Sequence, residues 1–64
     1  MRLGDQWSRK DYEYTIVAQV PHSSKNCEVY LIQKRKFGEE EVDYFVQEHE
    51  FTRPAFNYEG NVLD

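Results

Sequence analysis

The chain has 64 residues, of which 39% are hydrophobic and 16% aromatic, and its formal net charge is −4. That length allows one domain, residues 1–64, and leaves little room for the concave pocket that most enzymes need. The single cysteine excludes an internal disulfide, and no segment is apolar and long enough to cross a bilayer or to act as a signal peptide. We therefore expect a cytoplasmic protein that binds no membrane.

Positive and negative charges are separated along the chain. Residues 1–36 contain seven Lys or Arg and four Asp or Glu, a balance of +3, whereas residues 37–64 contain one Arg and eight acids, a balance of −7. Segregated charge can steer a charged partner toward one part of a protein surface. Ordinary solvated faces would produce the same pattern, so the sequence leaves both interpretations open.

The strongest structural pattern lies between Tyr12 and Val20, where Tyr, Ile, Ala and Val occupy every second position. A period of two predicts a strand with one buried face, and these residue types suit a pleated surface. Pro21 ends this strand, and the turn-forming residues 21–26 predict a hairpin loop. A second strand over residues 27–36 is expected to pair antiparallel with the first.

The two ends of the chain carry weaker patterns. Residues 4–7 predict a turn that brings Trp7 to the edge of the core, and residues 8–11 predict a polar loop. Near the other end, residues 55–58 can form a final short strand. We expect residues 59–64 to be a frayed tail.

Residues 39–51 fit either a strand or a helix. Alternating apolar residues favour a strand, whereas a spacing of three and four, with acids at the start, favours a helix. Because Asp43 is an acceptable N-cap, we predict a short strand over residues 40–42 followed by a helical turn over residues 43–50.

The ten aromatic residues can serve as the core of this small chain, because each buries a large apolar area. They could also form a stacking surface for a ligand. Core packing is the simpler prediction for a domain of this size, since it has no disulfide to stabilise it.

Gly4-x-x-Trp7 is followed by a tyrosine-rich strand, a hairpin and a second strand, and Val42-Asp43-Tyr44-Phe45 precedes a closing strand. This order resembles that of the small SH3-like barrels of uncharacterised bacterial and phage proteins. The resemblance covers about residues 4–60. It implies a mainly β fold, a small barrel or a bent antiparallel sheet of four to five strands, that acts as a binding module for peptides, proteins or nucleic acids.

No motif for catalysis, for a metal or for a cofactor is present. His22, Cys27 and His49 lack the paired spacing of a zinc site. Ser23 and Ser24 adjoin His22 only within a loop, which does not hold a nucleophile and a base together. We therefore predict that the protein is not an enzyme and uses no cofactor.

The function that we favour is non-catalytic binding of a protein partner with a basic surface, as for a bacterial or phage accessory protein. Acidic residues close to aromatic ones could form the binding face. An exposed strand edge could also pair two copies of the chain into a homodimer. The residues assigned to the protein-binding face are Glu39, Glu40, Glu41, Asp43 and Tyr44.

The alternative function is weak binding of single-stranded nucleic acid, since cations interleaved with aromatic residues suit phosphates and stacked bases. An isoelectric point near 5.0 argues against it. The basic run 34–36 could instead protect a sheet edge against aggregation. The residues assigned to this alternative are Trp7, Arg9, Lys10, Tyr30, Lys34, Arg35 and Lys36.

Overall fold

In a computed structural model that describes residues 1–64, the chain forms five antiparallel strands in one open sheet, with the order β4-β3-β2-β1-β5. This confirms the mainly β prediction. The two edge strands, β4 and β5, do not pair with each other, so the sheet does not close into a barrel. The strands are β1 (Asp5–Arg9), β2 (Tyr12–Pro21), β3 (Glu28–Lys36), β4 (Val42–Gln47) and β5 (Asn57–Asn61).

The central hairpin of β2 and β3 agrees with the prediction from the alternating sequence. Ile16 of β2 lies directly opposite Ile32 of β3, and the two side chains are 1% and 0% exposed. Trp7 and Phe51 complete the buried cluster. We call the face of the sheet that carries Trp7, Ile16 and Ile32 the inner face, and the opposite face the outer face.

A β-bulge at Val17 changes which side chains of β2 lie on the inner face in the second half of the strand. Ile16 lies opposite Ile32, whereas Ala18 lies opposite Leu31. Opposed residues share a face and neighbouring residues alternate, so Ala18 and the alternate residues after it lie on the outer face. The expectation that one face continues unbroken to the end of this strand is therefore wrong beyond the bulge.

The predicted helical turn over residues 43–50 is wrong, because Val42–Gln47 is strand β4 and the structure contains no helix. β4 pairs with β3 along its whole length, from Val42 opposite Arg35 to Gln47 opposite Tyr30. Hydrogen bonding to an existing strand outweighs the weak helical preference of an acidic start, because isolated short helices are only marginally stable.

The two ends of the chain are more ordered than the sequence predicts. Asp5–Arg9, assigned to a turn and a loop, is strand β1, which pairs with both β2 and β5. The last strand is Asn57–Asn61, so residues 59–61 belong to the sheet and the predicted final strand over residues 55–58 lies too early. Both segments contain few residues with high β propensity, and the strands beside them determine their conformation.

The connection between β4 and β5, residues 48–56, covers the inner face. Because it joins the two edges of the sheet, it must pass across about 19 Å, four strand spacings. The ring of Phe51 lies 5.3 Å from that of Tyr14 and 5.9 Å from that of Trp7, and Phe56 lies 5.5 Å from Tyr14. We call these residues the crossover; it closes the core over one face only.

No helix long and apolar enough to span a bilayer occurs in the chain.

Gly4 joins the N-terminal segment to β2 and to the end of the chain. Its N–H donates to the carbonyl of Ile16, and its carbonyl accepts from the N–H of Val62, both at 2.9 Å. Its φ is +88°, and a Cβ atom there would lie 2.8 Å from Asn61 Oδ1. The Asn61 amide is itself held by hydrogen bonds to Leu3 and Asp5, so it cannot easily move away.

We predict that Ile32→Ala lowers the free energy of unfolding by about 2–5 kcal/mol, because it leaves a cavity at a side chain that is 0% exposed. Val46→Ala, at a side chain that is 59% exposed, should change it by less than about 0.5 kcal/mol. Urea denaturation monitored by tryptophan fluorescence measures both values. Equal losses in the two variants would contradict the assignment of the inner face.

We also predict that Gly4→Ala destabilises the protein more than Gly38→Ala does. Both glycines have positive φ, +88° and +83°, but a Cβ at Gly38 meets nothing within 4 Å. The strain of a positive φ is common to both variants, so the difference between their free energies of unfolding isolates the steric conflict, about 1–3 kcal/mol. A difference near zero would show that the C-terminal segment is not packed on Gly4.

Candidate functional site

Two surfaces of the sheet carry side chains that the fold itself does not cover. The first is the outer side of the edge strand β4. Tyr44 and Val46 project from it, and each is 59% exposed. Their cross-strand neighbours on β3 are Gln33 and Leu31, both half-buried. We call Val42, Tyr44 and Val46, together with the acidic loop 39–41 that precedes them, the β4 surface.

The predicted acidic face is only partly assembled. Glu39, Glu40 and Glu41 are exposed in the loop between β3 and β4, and none of them forms an ion pair. Asp43 and Tyr44 are neighbours on a strand and therefore lie on opposite faces of it. Tyr44 shares the outer face with Val42 and Val46, whereas Asp43 lies opposite Lys34 on the inner side.

The second surface lies at one end of the inner face, where β1, β2 and β3 place cations beside aromatic rings. The Nζ of Lys34 lies 4.3 Å from the ring centroid of Tyr12, and the guanidinium of Arg9 lies 5.4 Å from that of Phe56. The register places Arg9 and Lys36 on either side of Tyr12.

Arg53 brings a further cation to the same face from the crossover. Its guanidinium lies 5.5 Å from the ring centroid of Tyr58 and 6.0 Å from that of Trp7. None of the four cations on this face forms an ion pair. We call them the cation surface; its members are Arg9, Lys34, Lys36 and Arg53.

The structure separates the seven residues assigned to nucleic-acid binding. Arg9, Lys34 and Lys36 come together on the inner face, and Lys10 occupies the adjacent turn with a φ of +54°. Arg35 lies on the outer face, where its guanidinium donates to Glu13 at 3.3 Å. Two more belong to the hydrophobic packing rather than to a free surface: Trp7, which is buried, and Tyr30, which packs against the core.

Sequence reasoning missed Arg53 and Phe56, which the crossover folds back onto the sheet. One signal could have pointed to Arg53, since it is the only Lys or Arg in residues 37–64 and lies between two phenylalanines. Their position relative to β1 depends on the path of the crossover, which no local pattern reveals.

His22 lies in a hydrogen-bonded group that joins the hairpin loop to the end of β4. Its Nε2 lies 2.7 Å from Glu48 Oε1, and its Nδ1 accepts from the backbone N–H groups of Ser24 and Lys25. The hydrogen bond with His22, followed by that from the Lys25 ammonium, lowers the pKa of Glu48. This arrangement orders the loop.

Asp5 is the buried charge of the structure, and its carboxylate is fully hydrogen bonded. Oδ1 accepts from Tyr58 Oη and Asn61 Nδ2, both at 2.9 Å, and Oδ2 accepts from the N–H of Arg2 at 2.9 Å. Burial of the carboxyl acts to raise its pKa, but the hydrogen bonds from Asn61, Arg2 and Tyr58 together lower it. The bond to Asp5 raises the pKa of Tyr58.

The chain contains no group of three His, Cys, Asp or Glu side chains close enough to hold a metal ion. Cys27 and His49 are both exposed. Two shallow depressions are present. The first has a volume of about 290 Å³ and is lined by Arg53, Pro54, Phe56, Asn57 and Tyr58. The second, of about 260 Å³, is largely apolar and is lined by residues of β2 and both chain ends.

The chain matches no protein-family model, no curated protein and no solved structure. Its function is therefore inferred from the placement of its own side chains.

We predict that acid lowers the stability of the protein partly through Asp5. Because its pKa is lower in the folded state, its contribution is complete at neutral pH and is lost as the pH falls from about 3.8, its ordinary pKa, through the lower folded value. Asp5→Asn should therefore be less stable than the wild type at pH 7 and should lose less stability on acidification. Urea denaturation at a series of pH values measures this.

The matched control is Asp43→Asn, at an exposed carboxylate that accepts no hydrogen bond. It should retain the acid sensitivity of the wild type. Equal pH dependence of Asp5→Asn and the wild type would contradict the hydrogen-bonded role of Asp5.

Proposed function

We propose that this protein is a non-catalytic interaction module that binds an extended basic segment of a partner protein along β4. The observation that supports this proposal is the exposure of Tyr44 and Val46 on an edge strand. Large apolar side chains on a free sheet edge are a liability for a monomer, because they favour pairing with another chain. A specific partner strand would bury both side chains.

The geometry of β4 suits addition of a strand. β4 pairs with β3 alone, so the backbone groups on its other side are free to bind an extended chain. Binding modules of this type obtain affinity from main-chain hydrogen bonds and specificity from alternate side chains. The other edge, β5, is less suitable, because its sequence Asn-Tyr-Glu-Gly-Asn contains a bulge and a glycine with φ of +103°.

The charge around β4 supports a basic partner. Glu39, Glu40 and Glu41 lie just before the strand, and Asp43 lies within it. None of these carboxylates forms an ion pair within the chain, so all four are available to Lys or Arg side chains of a partner. Such complementarity speeds association and makes it sensitive to salt.

The resemblance of the sequence to SH3-like binding modules, and a role as a bacterial or phage accessory protein in the cytoplasm, belong to the same proposal. A homodimer formed by pairing of two β4 edges would bring together two chains that each carry a net charge of −4, so that like charges repel. That repulsion favours a partner of opposite charge over a second copy of the chain.

We predict that Tyr44→Ser combined with Val46→Ser weakens binding to the partner by at least about tenfold, because buried anchors dominate the energy of an interface. Proteins captured on the immobilised wild type are purified, and each is titrated calorimetrically with the wild type and with the double variant. Affinity should fall as salt increases, and Glu39, Glu40, Glu41→Lys should abolish binding.

The control is Val62→Ser combined with Leu63→Ser, two residues that are 55% and 66% exposed at the other end of the sheet. This variant removes a comparable apolar area without touching β4 and should bind as the wild type does. If the two double variants bind the purified partner equally well, the β4 surface is not the binding site. Sedimentation equilibrium of the wild type tests the homodimer.

A further inference from the structure

The charge of the inner face is opposite to that of the β4 surface. Of the eight Lys and Arg residues, three are neutralised within the chain: Arg2 by Asp5 and Asp64, Lys25 by Glu48, and Arg35 by Glu13. The five that remain without an ion pair are the four members of the cation surface and Lys10, in the turn beside Arg9. A protein with a net charge of −4 thus collects its free positive charge at one end of one face.

The sheet register determines this clustering. Arg9, Tyr12 and Lys36 form one row across β1, β2 and β3, and Trp7, Tyr14 and Lys34 form the next row toward the centre. Adjacent strands are about 4.8 Å apart, so the cations of β1 and β3 are separated by about 10 Å. At that distance, the cations can contact two or three phosphates of one nucleic-acid strand at the same time.

Aromatic rings and a depression lie beside these cations. Arg9 covers the half-buried ring of Phe56, and the depression of about 290 Å³ next to it is lined by Arg53, Asn57, Tyr58 and the same phenylalanine. An unstacked base could enter this depression, where a guanidinium plane and a ring are available for stacking and the Asn57 amide for a hydrogen bond. The bases of a duplex are paired and stacked, so they could not enter.

We propose that the cation surface binds single-stranded nucleic acid, with Arg9, Lys34, Lys36 and Arg53 contacting phosphates and one base held beside Phe56. The site does not include the side chains of Tyr44 and Val46, which lie on the other face of the sheet. Five carboxylates lie near it. Asp11 is in the β1–β2 turn and Asp43 lies opposite Lys34, while Glu39, Glu40 and Glu41 are in the loop after Lys36, where the N–H of Glu39 donates to the carbonyl of Lys36 at 3.0 Å. They limit its affinity for phosphates, so binding is weak at physiological salt.

The experiment measures fluorescence anisotropy of a short labelled oligodeoxythymidine with the wild type and with two matched double variants. Lys34→Gln with Lys36→Gln removes two members of the cation surface. Lys25→Gln with Arg35→Gln removes two paired cations and changes the net charge equally. The first variant should bind about tenfold more weakly at low salt, and the second should bind as the wild type does.

Salt dependence provides a second measurement. Four phosphate contacts predict that the logarithm of the association constant falls with the logarithm of salt concentration with a slope of about −3, and loss of two cations should reduce its magnitude by about 1.4. Lys34 also contacts aromatic rings, so the double variant could lose stability. If circular dichroism shows that it is unfolded, Lys36→Gln alone, at an exposed residue, serves as the second variant. It should reduce the slope by about 0.7.

Three results would overturn the proposal. They are the absence of binding by the wild type at low salt, equal binding by the two double variants, and binding of duplex DNA or polyphosphate as tight as that of the oligonucleotide. The last result would show general attraction of polyanions and no recognition of single strands.

Discussion

The packing of Phe51 against Trp7 and Tyr14 is the contact on which the rest of the structure depends. A sheet of five short strands with one free face would leave its apolar residues in water, and only 8 of 64 residues are buried in the folded chain. The crossover solves this problem by laying two phenylalanines over the inner face. It can do so because β4 and β5 lie at opposite edges, so that their connection has to cross the sheet.

The same arrangement leaves side chains of the outer face exposed to solvent. One crossover covers one face, and the chain has no second layer of structure to place over the other. Residues such as Tyr44 and Val46 therefore remain exposed although their types are typical of a core. Small domains obtain binding surfaces in this way, because the area that they cannot bury is the area that a partner can.

The two faces differ in charge, and they also differ in that the crossover packs over the inner face only. Free carboxylates flank β4, whereas free ammonium and guanidinium groups cluster on the inner face near Tyr12 and Phe56. The net charge of −4 conceals this separation. Charges along the chain were already segregated, but the ion pairs of Lys25 and Arg35 decide which cations stay free, and those pairs exist only in the folded protein.

The amino-acid sequence by itself determined the central hairpin, because alternation from Tyr12 and the turn residues after Pro21 are local signals that act within a few residues. It also supplied the aromatic residues of the core and the charges of both surfaces. Tertiary structure alone decided the strand conformation of Val42–Gln47, the reversal of facing at Val17, and the entry of Asn57–Asn61 into the sheet. The physical reason is that hydrogen bonding to a neighbouring strand and burial against the crossover outweigh weak local preferences, and both require residues distant in sequence to meet.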